Sequence, residues 1–211
     1  MRTRILRSLT ALLGFVAALT LLPAPAAHAA PPAPPSLSTI QSYLNALPVR
    51  AEANQSTYDR DLFPHWISQG NNCNTREVVL RRDGTNVVTD ANCAAVSGTW
   101  YSVYDGATVT SASGIQIDHV VALAEAWRSG AHAWTTTRRQ AFANDLNIAQ
   151  LIAVSGSSNQ AKSDYDPSEW VPPRTAYHCT YAKNWIWVKY SYGLAVDSAE
   201  KSALQTLLGR C

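Results

Sequence analysis

Apolar residues recur at helical spacing at Ile40, Tyr43, Leu44 and Leu47, with Ser36 or Ser38 ahead of them and Pro48 just beyond. That pattern places one apolar stripe on a short capped helix. Arg76 to Arg82 (REVVLRR) reads as a strand closed by the turn residues Asp83-Gly84. A second strand is expected over Gly98 to Tyr104, closed by Asp105-Gly106, and a third over Ile115 to Val121. The period then changes: Val121 to Trp127 and Thr137 to Leu146 read as helices. Leu151 to Val154 is a short apolar strand, and Ser155 to Ser158 is a turn whose last serine can cap a helix starting near Asn159. Pro167, Pro172 and Pro173 interrupt the next stretch, and Trp185 to Tyr190 fits a strand or a helix. Asp197 and Glu200 stand in capping-box spacing before a final helix that runs to Leu208. No repeat and no second-domain boundary is visible, so the reading is one α+β domain.

The amino terminus sets the compartment. Arg2, Arg4 and Arg7 precede a mostly apolar, uncharged run from Ala11 to Leu22, and Ala27-His28-Ala29 offers a small-x-small cleavage site. This is the pattern of a secretory leader, too short and poorly flanked to be a permanent membrane span. The expected organisation is a signal peptide over 1–29, a proline-rich disordered leader over 30–36 and one domain over 37–211, exported and without membrane attachment. The leader takes three of the 17 Lys+Arg and none of the 15 Asp+Glu, leaving 14 against 15 and a net charge of −1. A near-neutral chain has no global field to gather a polyanion, so nucleic-acid binding would need a local patch.

Four cysteines, Cys73, Cys93, Cys179 and Cys211, read as two disulfides in an exported chain. Of the three connectivities, Cys73–Cys93 with Cys179–Cys211 is preferred because each pair closes a local loop. A zinc site is the alternative, but no C-x-x-C spacing supports it.

Asp118-His119 ends the apolar run Gly114 to Ile117, and Asn159-Gln160-Ala161-Lys162 follows some forty residues later. A lone Asp-His dipeptide is more often a surface carboxylate beside a satisfied histidine. The ordered set says more, because it joins a hard-metal ligand, an imidazole base, an amide oxygen and a lysine, the groups that metal-assisted phosphodiester hydrolysis uses. Neighbours on a strand point to opposite faces, so both Asp118 and His119 can serve one site only where the strand ends or bends. With Leu151 to Val154 and the helix near Asn159, the order gives a β-β-α unit with a helix-containing insertion.

This order resembles the HNH (ββα-metal) endonucleases, and more narrowly the secreted bacterial HNH proteins related to the C-terminal domain of GmrSD-type restriction endonucleases. The likeness runs through Asp118-His119, Glu125-Ala-Trp127, Phe142 to Leu146, Leu151 to Val154, Asn159 to Asp164 and Asp166 to Pro173. It takes in roughly residues 50–211. It implies an α+β fold with a ββα-metal core, extra helices and the two disulfides. His119 would be the general base, with Asp118 and Asn159 as metal ligands. The middle amide that orients the histidine would be Gln150, with Asn144 and Asn147 as rivals. A carboxylate-plus-amide shell suits Mg²⁺ or Mn²⁺. A neutral imidazole implies activity rising from about pH 6 towards 8.

Lys162, one turn from Asn159, fits a phosphate contact or a solvated helix lysine, and Arg138 and Arg139 fit the nucleic-acid backbone or an exposed pair. Glu125 fits a site carboxylate or a partner for an arginine. Tryptophans 127, 134, 170, 185 and 187 read as core, and His65, His132 and His178 as structural. The expectation is a monomeric secreted endonuclease of low specificity acting on DNA, with RNA as a second substrate. The rival expectations are a non-catalytic extracellular binding protein that keeps the fold and a secreted hydrolase of other esters or glycans.

Overall fold

The computed structural model describes residues 30–211; the stretch read as a leader, 1–29, lies outside them. Residues 30–36 carry no helix or strand, and Ser36 caps helix α1 (Leu37–Ala46) by accepting from the Thr39 amide at 3.3 Å. The apolar stripe buries Ile40, Leu44 and the following Leu47 in the main core.

The first expected strand is a helix. Residues Thr75–Asp83 form α2, because Asn74 and Glu77 make a reciprocal capping box: the Glu77 amide donates to the Asn74 side chain at 3.0 Å and the Asn74 amide to Glu77 at 2.7 Å. Two orphan donors are satisfied at once, which outweighs the strand preference of Val78-Val79. Ahead of α2 lies the small hairpin β1 (Ser68–Gly70) and β2 (Cys73–Asn74). After it, β3 (Gly84–Thr89), β4 (Ala95–Tyr101) and β5 (Thr108–Val109) form an antiparallel sheet in that order. Gly84 permits the tight exit from α2, since a Cβ there would lie 2.5 Å from the Trp100 indole nitrogen. That nitrogen donates to the Leu80 carbonyl at 2.8 Å.

The unit that positions the site is β6 (Ile115–His119), β7 (Leu151–Ser155) and α5 (Gly156–Lys162). The strands pair antiparallel from Ile115↔Ser155 to His119↔Leu151. Ser155, rather than Ser158, caps α5, so the helix begins three residues before Asn159. The long connection between β6 and β7 carries α3 (Leu123–Arg128) and α4 (Thr136–Ala143). The alternative left open for Trp185 to Tyr190 resolves as helix: α6 (His178–Tyr192) closes on Gly193 in the left-handed region at φ 65°. The last helix, α7 (Ser198–Leu208), starts on the Asp197/Glu200 capping box.

Two apolar clusters result. One gathers α1, α3, α4, α6 and α7 around Phe63, Trp127, Tyr181 and Trp185. The other sets Val79, Leu80 and Trp100 against Ile115, Ile117, Leu151 and Ala153. Disulfides Cys73–Cys93 and Cys179–Cys211 close loops of 20 and 32 residues. The chain-entropy model assigns roughly 3–4 kcal/mol to each. The fold is a mixed α+β domain stapled twice.

Candidate active site

Strand alternation determines what each face of β6 meets. Ile115 and Ile117 point into the second apolar cluster, while Gln116 and Asp118 point to the side covered by α5. Two pairs tie helix to strand: Asn159 Nδ2 donates to Gln116 Oε1 at 2.8 Å, and Lys162 Nζ to Asp118 Oδ1 at 2.9 Å. The i, i+3 spacing on the helix matches the i, i+2 spacing on the strand. His119 is the last residue of β6, where the chain turns, and it shares one open pocket of about 440 Å³ with Asp118, Asn159, Asp164, Tyr58 and Arg60.

The imidazole is held in one tautomer. Its Nε2 lies 2.9 Å from the Ala143 carbonyl, which can only accept, so Nε2 carries the proton and Nδ1 the lone pair. No protein group hydrogen-bonds Nδ1 among the described residues. Trp66 covers the ring with centroids 5.5 Å apart, and its own backbone sits in the left-handed region at φ 58°. A bulky residue there costs on the order of 1–3 kcal/mol, which the surrounding contacts must over-determine. Burial pushes the His119 pKa down to about 3, with the Ala143 carbonyl opposing it and electrostatic repulsion from Arg60 and Lys162 adding to it. That shift favours the neutral ring, the form that can act as a base.

Asp118 is buried and accepts from the Tyr104 hydroxyl at 2.6 Å as well as from Lys162, whose ammonium also donates to the His119 carbonyl at 3.0 Å. Burial pushes its carboxyl pKa up, and Lys162 and Tyr104 pull it back. Tyr104 was invisible in the sequence as a site residue, because it lies beyond the end of β4 and reaches Asp118 only through the fold.

The remaining expected site residues fall elsewhere. Gln150 is fully buried and closes both amide atoms on the Val121 backbone, donating to its carbonyl at 2.9 Å and accepting from its amide at 3.1 Å. It fixes the bend just after His119 without touching the ring. Asn144 donates to the Pro64 and Gln140 carbonyls and accepts from Ile67 N and Thr75 Oγ1. Its side chain is saturated, and it anchors the peptide whose carbonyl holds His119. The ring-orienting bond thus comes from the main chain rather than from either amide. Lys162 is wholly buried and offers no phosphate contact at the surface.

Arg139 is buried, bonded to the Leu62 and Trp134 carbonyls and stacked over Trp127. Arg138 lies over Trp134 and donates to the Tyr192 carbonyl at 2.6 Å. Neither arginine lines the pocket.

Glu125 takes the pairing role. It meets Lys189 at 2.6 Å and Arg128 at 3.0 Å, and Arg128 reaches on to Asp164 at 2.5 Å and Glu52 at 2.9 Å. Lys189 also pairs with Glu200 at 2.8 Å. Desolvation raises the Glu52 pKa to about 7, helped by the neighbouring Glu125 carboxylate and opposed by Arg128. A carboxyl raised above its unfolded value of 4.5 contributes stability below that value, and this is lost as pH rises through about 7. Glu52→Gln, which mimics the protonated form, should therefore raise Tm over the wild type more at pH 8 than at pH 5. Parallel melting curves at the two pH values check this, and an equal difference at both would refute it.

The pocket offers two side-chain oxygens of the type that a hard divalent ion takes. Among the described residues each Asp118 oxygen has a single partner and keeps lone-pair capacity, and Asn159 Oδ1 accepts no hydrogen bond. Among the described residues there is no cluster of three or more His, Cys, Asp or Glu side chains that could hold a metal by itself.

An uncharacterized secreted protein of Arthroderma benhamiae is 56% identical over 199 residues, covering 94% of this chain and 98% of the relative. The protein is secreted, and no helix among the described residues is long and apolar enough to cross a membrane. The relative is fungal, so it lends no support to a bacterial limit on the resemblance. No solved structure matches the chain. The model of the GmrSD restriction endonucleases' C-terminal domain matches residues 75–207, well over half of the sequence, and the chain belongs to that family.

Proposed function

We propose that the protein is a secreted, metal-dependent HNH-type endonuclease that hydrolyses phosphodiester bonds of DNA with low sequence specificity. RNA is the second polymer to test, and the working unit is a monomer. The observation that supports this most is the placement of Asp118, His119 and Asn159 around one pocket, with the Nδ1 lone pair of His119 left unpaired. His119 Nδ1 takes a proton from water as the water oxygen bonds to phosphorus, and the P–O bond opposite breaks to release the 3′ oxygen, which takes a proton from solvent water to become a hydroxyl. The Ala143 carbonyl, fixed through Asn144, holds the imidazolium that forms, and Gln150 keeps the bend that aims the ring. Asp118 and Asn159 would hold Mg²⁺ or Mn²⁺, which when bound supplies charge neutralisation on the phosphate and the departing oxygen.

Oxidised, secreted protein should nick supercoiled plasmid with Mg²⁺ or Mn²⁺ and lose that activity in EDTA. Mn²⁺ binding followed by water proton relaxation should weaken at least tenfold in Asp118→Asn. Cleavage that persists in EDTA at full rate would refute the metal assignment. A specific observation favours the rival, a non-catalytic binding protein: the Lys162 ammonium sits 2.9 Å from Asp118 and competes with any added cation. Absence of DNA and RNA cleavage with every ion would select that rival.

A further inference from the structure

The pocket already carries charges, and one of them belongs to a group that no sequence motif marked. Two carboxylates line it: Asp118 pairs with Lys162 at 2.9 Å, and Asp164 pairs at 2.5 Å with Arg128, which Glu125 and Glu52 share. The cationic side chain in the lining itself is Arg60. Its side chain lines the same pocket as His119, is exposed, and enters none of the ion pairs formed among the described residues. Its guanidinium neighbours the Tyr58 hydroxyl. Arg60 is therefore the positive group the pocket presents to an anion, in a domain whose overall charge does not attract polyanions.

The base of this side chain is held in place while its head is exposed. Asp59 caps the short 3₁₀ turn Arg60–Leu62 by accepting from Asp61 N at 2.9 Å, and Phe63 N donates to the Arg60 carbonyl at 3.0 Å. Buried Arg139 then donates to the Leu62 carbonyl at 2.8 Å, and Phe63 is fully buried behind the turn. A preorganised backbone under an exposed forked cation reduces the ordering cost of binding an anion.

On the reading of this pocket as a phosphodiester site, we infer that Arg60 is the anchor that holds a nucleic-acid phosphate beside His119. A planar guanidinium takes two phosphate oxygens at once, which a single ammonium does not. The anchor acts in the ground state and in the transition state alike, so its loss raises KM more than it lowers kcat.

Binding is measured in the cleavage-silent His119→Ala background by fluorescence anisotropy of a labelled DNA duplex over a salt series, with melting curves alongside. Arg60→Ala should raise Kd about 10- to 100-fold. It should also reduce the slope of log Kd against log salt by about 0.9, the share of one phosphate contact. Arg60→Lys should keep the slope and recover part of the affinity. Arg81→Ala, an exposed arginine of α2 outside the pocket, should leave both unchanged. Unchanged affinity and slope in Arg60→Ala, while wild type still nicks plasmid, would overturn the anchor and leave the nuclease reading standing. Weaker binding with an unaltered slope and a lowered Tm would overturn it in favour of a structural role. No binding and no cleavage of nucleic acid by the wild type would remove the reading on which the anchor rests.

Discussion

His119→Ala should lower the single-turnover rate of plasmid nicking by about 10²- to 10⁴-fold, the range that a positioned general base contributes. The ring is the one group in the pocket with an unpaired basic nitrogen held in a single tautomer by a backbone carbonyl. Because the ring is buried, Ala also leaves a void, so His119→Gln is the companion variant. An amide can still donate to the Ala143 carbonyl but supplies no base. Both variants should lose activity to a similar extent while His119→Gln keeps a Tm near that of the wild type. Cleavage at the wild-type rate by either would place the base elsewhere or expose a contaminant.

The largest loss of stability should follow Lys162→Met. The substitution leaves the Asp118 carboxylate buried with only the Tyr104 hydroxyl as partner. Removing one member of a buried pair costs roughly 3–5 kcal/mol, because the remaining charge is desolvated without compensation. For a domain of this size that is on the order of a 10 °C drop in Tm. Adding Asp118→Asn should restore most of the loss, since no uncompensated charge then remains, and the non-additivity measures the pair directly. A Tm within a degree or two of wild type for Lys162→Met would show a solvated lysine, as a phosphate contact requires.

Much of this fold could be read locally. The α1 stripe, the capping box before α7, the β6 and β7 strands and both disulfide pairs follow from spacing within a few residues or from the shortest loop closures. REVVLRR failed because its composition favours a strand, while the deciding signal, Asn74 with Glu77 three residues on, lies partly outside the run. The Trp185 to Tyr190 segment was ambiguous because a helix buried on most of its surface has no polar face to reveal its period.

The site divides in the same way. Order and residue type alone determined that a carboxylate, an imidazole, an amide and a lysine come from a strand end and a following helix, since β6, β7 and α5 are each legible and their pairing follows from antiparallel register. Only the tertiary structure decided what each of these groups touches. The partner of His119 is a main-chain carbonyl 24 residues away, which no side-chain pattern can announce. Lys162 turned inward to Asp118, and Arg139 went into the core, because a buried charge or carbonyl must find a partner wherever packing supplies one. Arg60 came to the pocket from a turn nearly sixty residues before His119, brought there by the burial of Phe63. Contacts between residues so distant depend on the shape of the assembled core, and that shape is a property of the whole chain rather than of any segment.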